Sequence, residues 1–281
     1  MSKLTTFRIG GPARELLRPG SAGELRRALV GLRRKAARVL VIGAGSNILA
    51  ADGGVNAAVI KLDAAGFCKI GQKRNIVVSG PGVSAARLLD YCAQKGLSGL
   101  EFMAGIPGTV GGALAMNAGV SLDGKKFAIG DLVESAEVMD YNGNLKTIKK
   151  DKLKFSYRRS NLSRHVILSA SFKLAPADSK AIRGRIAELI ARRKATQDYG
   201  KPNAGCIFKN PPAGSAGKLI DSCGLKGRSA GGAVVSSRHA NFILNSGNAS
   251  SRDVLALISL IRKEVKKKFN TTLETEIKIW K

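Results

Sequence analysis

The chain has 281 residues, 44% hydrophobic and 24% charged, with 33 glycines, enough apolar content to exclude a disordered or fibrous chain. Its four cysteines (Cys68, Cys92, Cys206, Cys223) lie far apart with no C-x-x-C and only two histidines, which excludes a zinc motif and a disulfide framework and suits a reducing cytoplasm. Lys plus Arg number 47 against 20 Asp plus Glu, a charge of +27 that implies affinity for some anion but does not choose among nucleic acid, acidic lipid and a phosphorylated small molecule.

No signal-peptide run opens the chain. Ser21 with Glu24 predicts a capping box, and Leu25, Ala28, Leu29 and Leu32 follow at helical spacing, so 22–35 reads as a helix. Val39 to Ile42 is a buried strand, Ala57 to Lys61 a second and Ile76 to Ser79 a third. A helix runs from Ser84 to Lys95 and stops at Gly96. The uncharged stretch from Phe102 to Leu122 has the length of a membrane span, but Pro107, Asn117 and its glycines predict buried loop and turn instead. Val133 to Tyr141 and Leu145 to Ile148 flank Asn142-Gly143, a hairpin signal, and Val166 to Leu174 is a strand. After Pro176 come a basic helix from Asp178 to Lys194, a Gly/Pro-rich segment over 200–217, and a helix over 252–269 with Val254, Ile258, Ile261 and Val265 on one face. Thr272 to Trp280 ends the chain as a strand, and the whole reads as α+β with a strand-rich first half.

Five segments carry chemistry. Gly43-Ala44-Gly45-Ser46-Asn47 follows a buried strand, yet Ile48 stands where a dinucleotide fingerprint needs its third glycine and no helix follows. Such flexible backbone can surround a diphosphate with N–H groups, or be a plain turn. Gly105-Ile106-Pro107-Gly108-Thr109-Val110-Gly111-Gly112, then Met116-Asn117-Ala118-Gly119, is too apolar for an ordinary surface loop. Its glycines would let backbone lie flat on a planar ligand, or serve only as structural turns. In Tyr157-Arg158-Arg159-Ser160, an arginine beside a tyrosine can stabilise a developing oxyanion or simply be solvated. Cys206 lies between Gly205 and Lys209, either a reagent or a small hydrophobe. Leu273-Glu274-Thr275-Glu276-Ile277 alternates, placing both glutamates on one side.

Taken in order, these motifs, with Thr6-Phe7-Arg8-Ile9-Gly10-Gly11-Pro12-Ala13 at the start and His239-Ala240-Asn241-Phe242 near the end, resemble the UDP-N-acetylenolpyruvoylglucosamine reductase (MurB) family of peptidoglycan synthesis over nearly the whole chain. The resemblance implies a vanillyl-alcohol-oxidase-type (PCMH) FAD domain over 1–176, in lobes of about 1–62 and 63–176. A UDP-substrate domain over 177–281 follows, its last strand (272–281) returning to the first lobe. It assigns FAD to Gly43, Gly45, Ser46, Asn47, Gly105, Ile106, Pro107, Gly108, Gly111, Gly112, Asn117 and Gly119. It assigns catalysis to Arg158, Cys206 and Glu276, and substrate binding to Tyr157, Lys194, Asn210 and His239. No metal is implied.

In such a family NADPH reduces the flavin, and hydride then passes to the enolpyruvyl methylene carbon of UDP-N-acetylglucosamine-enolpyruvate. Arg158 and Glu276 would stabilise the enolate, Glu276 holding its proton beside that anion. Cys206 departs from the family, whose usual residue there is serine; a thiol is the stronger acid and can still give the proton. Only a few residues separate Ser160 from the strand at Val166, so the family's tyrosine-bearing insertion is missing, as in its short type II form. A nucleic-acid-binding module is supported by charge alone, without recognition aromatics, so no nucleic-acid or membrane partner is expected. Another PCMH-fold oxidase is disfavoured by the Lys194/Asn210 pair and the Leu-Glu-x-Glu ending.

Overall fold

The computed structural model describes residues 1–281 and divides into two compact units. A central unit comprises Glu15–Ala44 and Ala57–Arg192, and a terminal unit comprises Met1–Arg14, Gly45–Asn56 and Arg193–Lys281. This cuts the chain differently from the expected 1–176 and 177–281. Residues 45–56 group with the C-terminal segment because strand Ile48–Ala50 pairs in parallel with Lys278–Trp280. The end of the chain thus pairs with a strand of its own unit.

In the central unit, helix α1 (Ala22–Arg34) begins at Ser21, whose hydroxyl accepts from the Glu24 N–H at 3.2 Å. Glu24 does not close a capping box; its carboxylate reaches one residue further back, to the Gly20 N–H at 2.8 Å. Leu25, Leu29 and Leu32 bury themselves against Ala58, Ile60 and Leu62, on strand Val55–Lys61 and just past it. That strand runs parallel to Val39–Ile42 in register Val39 with Ala58 to Ile42 with Lys61. A second core lies between helix α2 (Ala85–Gln94) and an antiparallel five-stranded sheet, ordered Leu145–Lys149, Val133–Met139, Val166–Lys173, Ile76–Ser79, Ile70–Lys73. α2 stops where Gly96 takes a positive φ of 63°.

Two predicted features differ in detail. The 133–148 hairpin turns over 140–144 rather than 142–144, since Met139 pairs with Leu145. Asp140 governs that turn, its carboxylate accepting from the Asn142 and Asn144 N–H groups. The stretch 102–122 is not all loop and turn. It contains helix α3 (Val110–Ala115), with Val110, Ala113 and Leu114 buried, and strand Gly119–Leu122. That strand pairs with Lys125–Ala128 across Asp123-Gly124, both with positive φ, as a two-residue primed turn requires. Helix α4 (Ser179–Thr196) buries Leu189 in the same core, and the unit boundary falls within this helix.

In the terminal unit, an antiparallel sheet ordered Asn203–Cys206, Phe242–Asn245, Ala233–Val235, Ser229–Ala230 carries helix α5 (Ala216–Ser222) and helix α6 (Ser251–Phe269). α6 has a reciprocal cap between Ser250 and Asp253 and ends on Asn270 in the left-handed region. Its buried face, Val254, Leu257, Ile258, Ile261 and Val265, packs with Phe7, Leu49, Ile207 and Phe208. Each such side chain contributes about 1.5–3 kcal/mol. The predicted strand over 272–280 is shorter than expected. Only Lys278–Trp280 pairs continuously, with a single bridge from Thr275 to Phe208 before it. No helix is long and apolar enough to cross a membrane.

Candidate functional site

The two glycine segments expected to face a cofactor meet in part within the central unit. Strand Val39–Ile42 delivers Gly43 at its C-terminal end, and a Cβ placed on Gly43 would lie 2.5 Å from Thr109 Oγ1. Thr109 caps α3, its hydroxyl accepting from the Gly112 N–H at 3.4 Å. The start of α3, sixty-odd residues downstream, therefore lies against Gly43, which the sequence reading missed. The segment is stapled to residues 81–85 by three backbone bonds. Ala85 N donates to Gly108 O, Val110 N to Val83 O and Gly111 N to Pro81 O, at 2.8–3.0 Å. A Cβ on Gly111 would meet Pro81 Cβ at 2.9 Å, whereas Gly112 is exposed with only Thr109 Oγ1, 3.6 Å away, beside it. Gly112 thus leaves exposed backbone without a side chain at the start of α3, which is what close approach of a flat ring or a diphosphate needs. Gly105, Ile106, Pro107 and Gly108 precede it in the same unit, with Ile106 N donating to Met103 O.

Asn117 and Gly119 follow α3 and hold a second feature of the central unit. Strands Phe155–Ser156 and Arg159–Ser160 pair antiparallel, so Tyr157 and Arg158 form the tip of a two-residue turn. Arg158 has φ 57°, the left-handed region that favours glycine. Its guanidinium donates to Gly119 O at 3.0 Å and lies 5.1 Å from the centre of the Tyr157 ring. Asn117 Nδ2 donates to Ser156 O at 3.0 Å, while its Oδ1 accepts from the Gly130 N–H at 3.1 Å.

The remaining expected residues lie in the terminal unit. Gly45 has φ 67°, and a Cβ there would collide with Leu4 O, so only glycine serves. Ser46 follows it, and Asn47 Nδ2 donates to Glu276 O at 3.3 Å while Asn47 O accepts from Lys278 N. Glu276 N donates to Ile207 O at 2.7 Å, placing Glu276 beside the Cys206-Ile207 backbone. Asn47, Glu276 and Cys206, far apart in sequence, are thus brought together. The two glutamates of the Leu-Glu-x-Glu ending part company. Glu274 is 70% exposed and pairs with Lys209, while Glu276 is half-buried. Cys92, by contrast with Cys206, is a core residue whose thiol burial pushes up to about 12, with Glu101 adding to the effect.

A third group surrounds the start of α5. Asn210 Oδ1 accepts from the Ala216 N–H at 3.0 Å, and Ser215 caps the helix. The His239 ring lies over this end, its Cε1 3.5 Å from where a Gly217 Cβ would be, and packs on Phe242 with centroids 4.7 Å apart. Burial lowers the His239 pKa below the usual 6.5, and its Nδ1 is buried without a hydrogen-bond partner. Lys194 is tied in through its carbonyl, which accepts from Arg238 Nη1 at 3.2 Å. Sequence reasoning also missed Asn241, which clamps Phe208 by accepting from its N–H at 2.9 Å and donating to its carbonyl at 2.8 Å. Its one signal was its place in the His-Ala-Asn-Phe motif. No three His, Cys, Asp or Glu side chains gather as metal ligands.

Comparison with known proteins agrees across the chain. Residues 13–149 match the FAD binding domain family, and residues 197–280 match the UDP-N-acetylenolpyruvoylglucosamine reductase, C-terminal domain family. The chain is 41% identical to the UDP-N-acetylenolpyruvoylglucosamine reductase of Moorella thermoacetica, covering 100% of this chain and 91% of the relative. It is 43% identical to that of Syntrophobacter fumaroxidans, covering 98% and 80%. The crystal structure of UDP-N-acetylenolpyruvylglucosamine reductase from Thermus caldophilus superposes with a TM-score of 0.85 at 37% identity, covering 100% of this chain and 97% of that one. With its α+β architecture, its FAD-domain match and relatives this similar over nearly the whole of this chain, the chain belongs to the UDP-N-acetylenolpyruvoylglucosamine reductase family.

Proposed function

We propose that the protein binds FAD and reduces UDP-N-acetylglucosamine-enolpyruvate to UDP-N-acetylmuramate with NADPH, a cytoplasmic step in peptidoglycan precursor synthesis. The observation that carries this reading is the family match along the whole chain, and the glycine backbone at Gly43 and at Gly112 of α3 supports it as a flavin surface. When bound, FAD supplies the hydride relay between NADPH and the enolpyruvyl group. Gly43, Gly45, Ser46, Asn47 and the backbone from Gly105 to Gly119 would hold it, the Asn117 side chain being turned into the protein.

The chain's own residues then manage charge and protons. A hydride delivered to the methylene carbon would break the C=C π bond and leave an enolate. The Arg158 guanidinium, fixed through Gly119 O, and the Glu276 carboxyl stabilise that charge. The Cys206 S–H bond breaks as a C–H bond forms at the other carbon, and the thiolate regains its proton from water. Lys194, Asn210 and His239 take the diphosphate, and Tyr157 lines the substrate. Between Ser160 and Val166 the chain makes only the turn Asn161–Arg164, so closure over the substrate uses no inserted tyrosine.

The test is consumption of NADPH by FAD-loaded protein with and without UDP-N-acetylglucosamine-enolpyruvate. Oxidation that requires this substrate supports the proposal. A flavin-bound protein indifferent to it would overturn the substrate assignment.

A further inference from the structure

Asn117 sits in a segment where the expected role is cofactor contact, yet its side chain is committed elsewhere. It is 8% exposed and adopts φ 44°, a conformation asparagine tolerates better than most residues. Its two polar atoms point into the protein, Nδ2 to Ser156 O at 3.0 Å and Oδ1 to the Gly130 N–H at 3.1 Å. Ser156 is the residue before the Tyr157-Arg158 tip. At the tip itself, the Arg158 guanidinium donates to the carbonyl of Gly119, two residues beyond Asn117. Ser160 Oγ, which closes the hairpin, reaches Ala115 O at 3.4 Å, and the Phe155 ring packs so closely on Gly130 that no Cβ fits there. The short run from Ala115 to Gly119 therefore holds the turn before, at and after Arg158.

We propose that Asn117 is a positioning residue for the reaction. Its amide clamps the left-handed turn that aims Arg158, while its Oδ1 locks that clamp to Gly130. This rests on the reading of Arg158 as the group that stabilises the enolate. A left-handed non-glycine residue persists only where its surroundings over-determine it. The Asn117 amide supplies one of those constraints from a buried, rigid position. Misplacing a charge-stabilising group slows the step in which charge develops and leaves other steps alone.

The experiment uses Asn117→Asp, which keeps the backbone conformation and the acceptor for Gly130 but replaces the donor with an oxygen facing the Ser156 carbonyl. Asn161→Ala is the control. It removes a comparable pair of bonds, to Lys154 N and Lys152 O, at the base of the same hairpin. Two readouts are taken on the FAD-loaded proteins. Hydrogen exchange over residues 155–160 is expected to rise at least tenfold in Asn117→Asp with global stability still two-state. In anaerobic rapid mixing, flavin reduction by NADPH is expected to stay within twofold, whereas reoxidation by UDP-N-acetylglucosamine-enolpyruvate slows at least tenfold. Asn161→Ala keeps both rates within twofold. Unchanged exchange over the turn, or both half-reactions falling by the same factor, overturns the proposal. If the wild type itself fails to reoxidise, the functional reading fails, and the exchange readout alone still decides whether Asn117 holds the turn.

Discussion

Replacing Gly43 by alanine tests whether the first glycine segment and α3 build one surface. The added methyl would lie 2.5 Å from Thr109 Oγ1, about 0.9 Å inside an ordinary contact, while Thr109 Cβ and Cγ2 stand at a comfortable 3.6 and 3.7 Å. Gly43 has no positive φ, so the conflict is purely one of space. Thr109 can escape only by rotating its hydroxyl off the Gly112 N–H, which sacrifices an N-cap worth about 1 kcal/mol. Otherwise the strand end must move away from α3, an overpacking cost of about 1–3 kcal/mol. Either path distorts the surface before cofactor arrives. FAD affinity is therefore expected to fall about 5- to 150-fold, measured by flavin-fluorescence titration of the apoprotein. The decisive form is a double-mutant cycle. Thr109→Ala loses the cap but removes the only clashing atom, so adding Gly43→Ala to it should cost almost nothing. Gly43→Ala that binds FAD within twofold of wild type, or two costs that simply add, would refute the reasoning.

Three further outcomes follow from the geometry. Gly112→Ala places a methyl on α3 in no more than ordinary contact with Thr109 Oγ1, so the apoprotein should gain about 0.4–1 kcal/mol in denaturant melts while FAD affinity falls at least tenfold; a gain in both would move the flavin elsewhere. Cys206→Ser, which installs the usual family residue, should retain turnover. Cys206→Ala should lose it by about 10²- to 10⁴-fold with flavin reduction by NADPH intact, and full activity in Cys206→Ala would assign the proton to another donor. Because burial holds His239 neutral, its stabilising contribution is present above pH 6.5 and lost as pH falls through its lowered folded value. The urea midpoint of wild type should therefore drop more between pH 7.5 and 5.5 than that of His239→Gln; parallel losses would contradict the assignment.

Much of the scaffold was legible because it rests on local rules. α1 and α6 carry three- and four-residue apolar spacing behind a capping serine, and both form where that pattern says. The strand over 39–42 is apolar throughout and is found paired. What escaped depends on contacts distant in sequence. α3 is only six residues long and glycine-rich, so periodicity cannot announce it; its cap and its staples to residues 81–85 make it. The ending over 272–280 alternates like a strand but finds a partner only at Thr275 and again from Lys278, because each strand needs a neighbour and not merely a pattern. Asp123-Gly124 was a readable hairpin signal that the uncharged run before it obscured. The residues of the candidate site were recognisable as a family series, but the burial of both Asn117 polar atoms, like the Asn241 clamp on Phe208, exists only once the chain has folded.

The central claim is that this chain passes reducing equivalents from NADPH to one enol ether. Its most direct test is anaerobic mixing of the NADPH-reduced, FAD-loaded protein, freed of nucleotide, with UDP-N-acetylglucosamine-enolpyruvate. The flavin absorbance should return in step with formation of UDP-N-acetylmuramate, one product per flavin, identified by its two-hydrogen mass gain. Flavin that stays reduced in the presence of this substrate, or reoxidises without forming that product, would contradict the account.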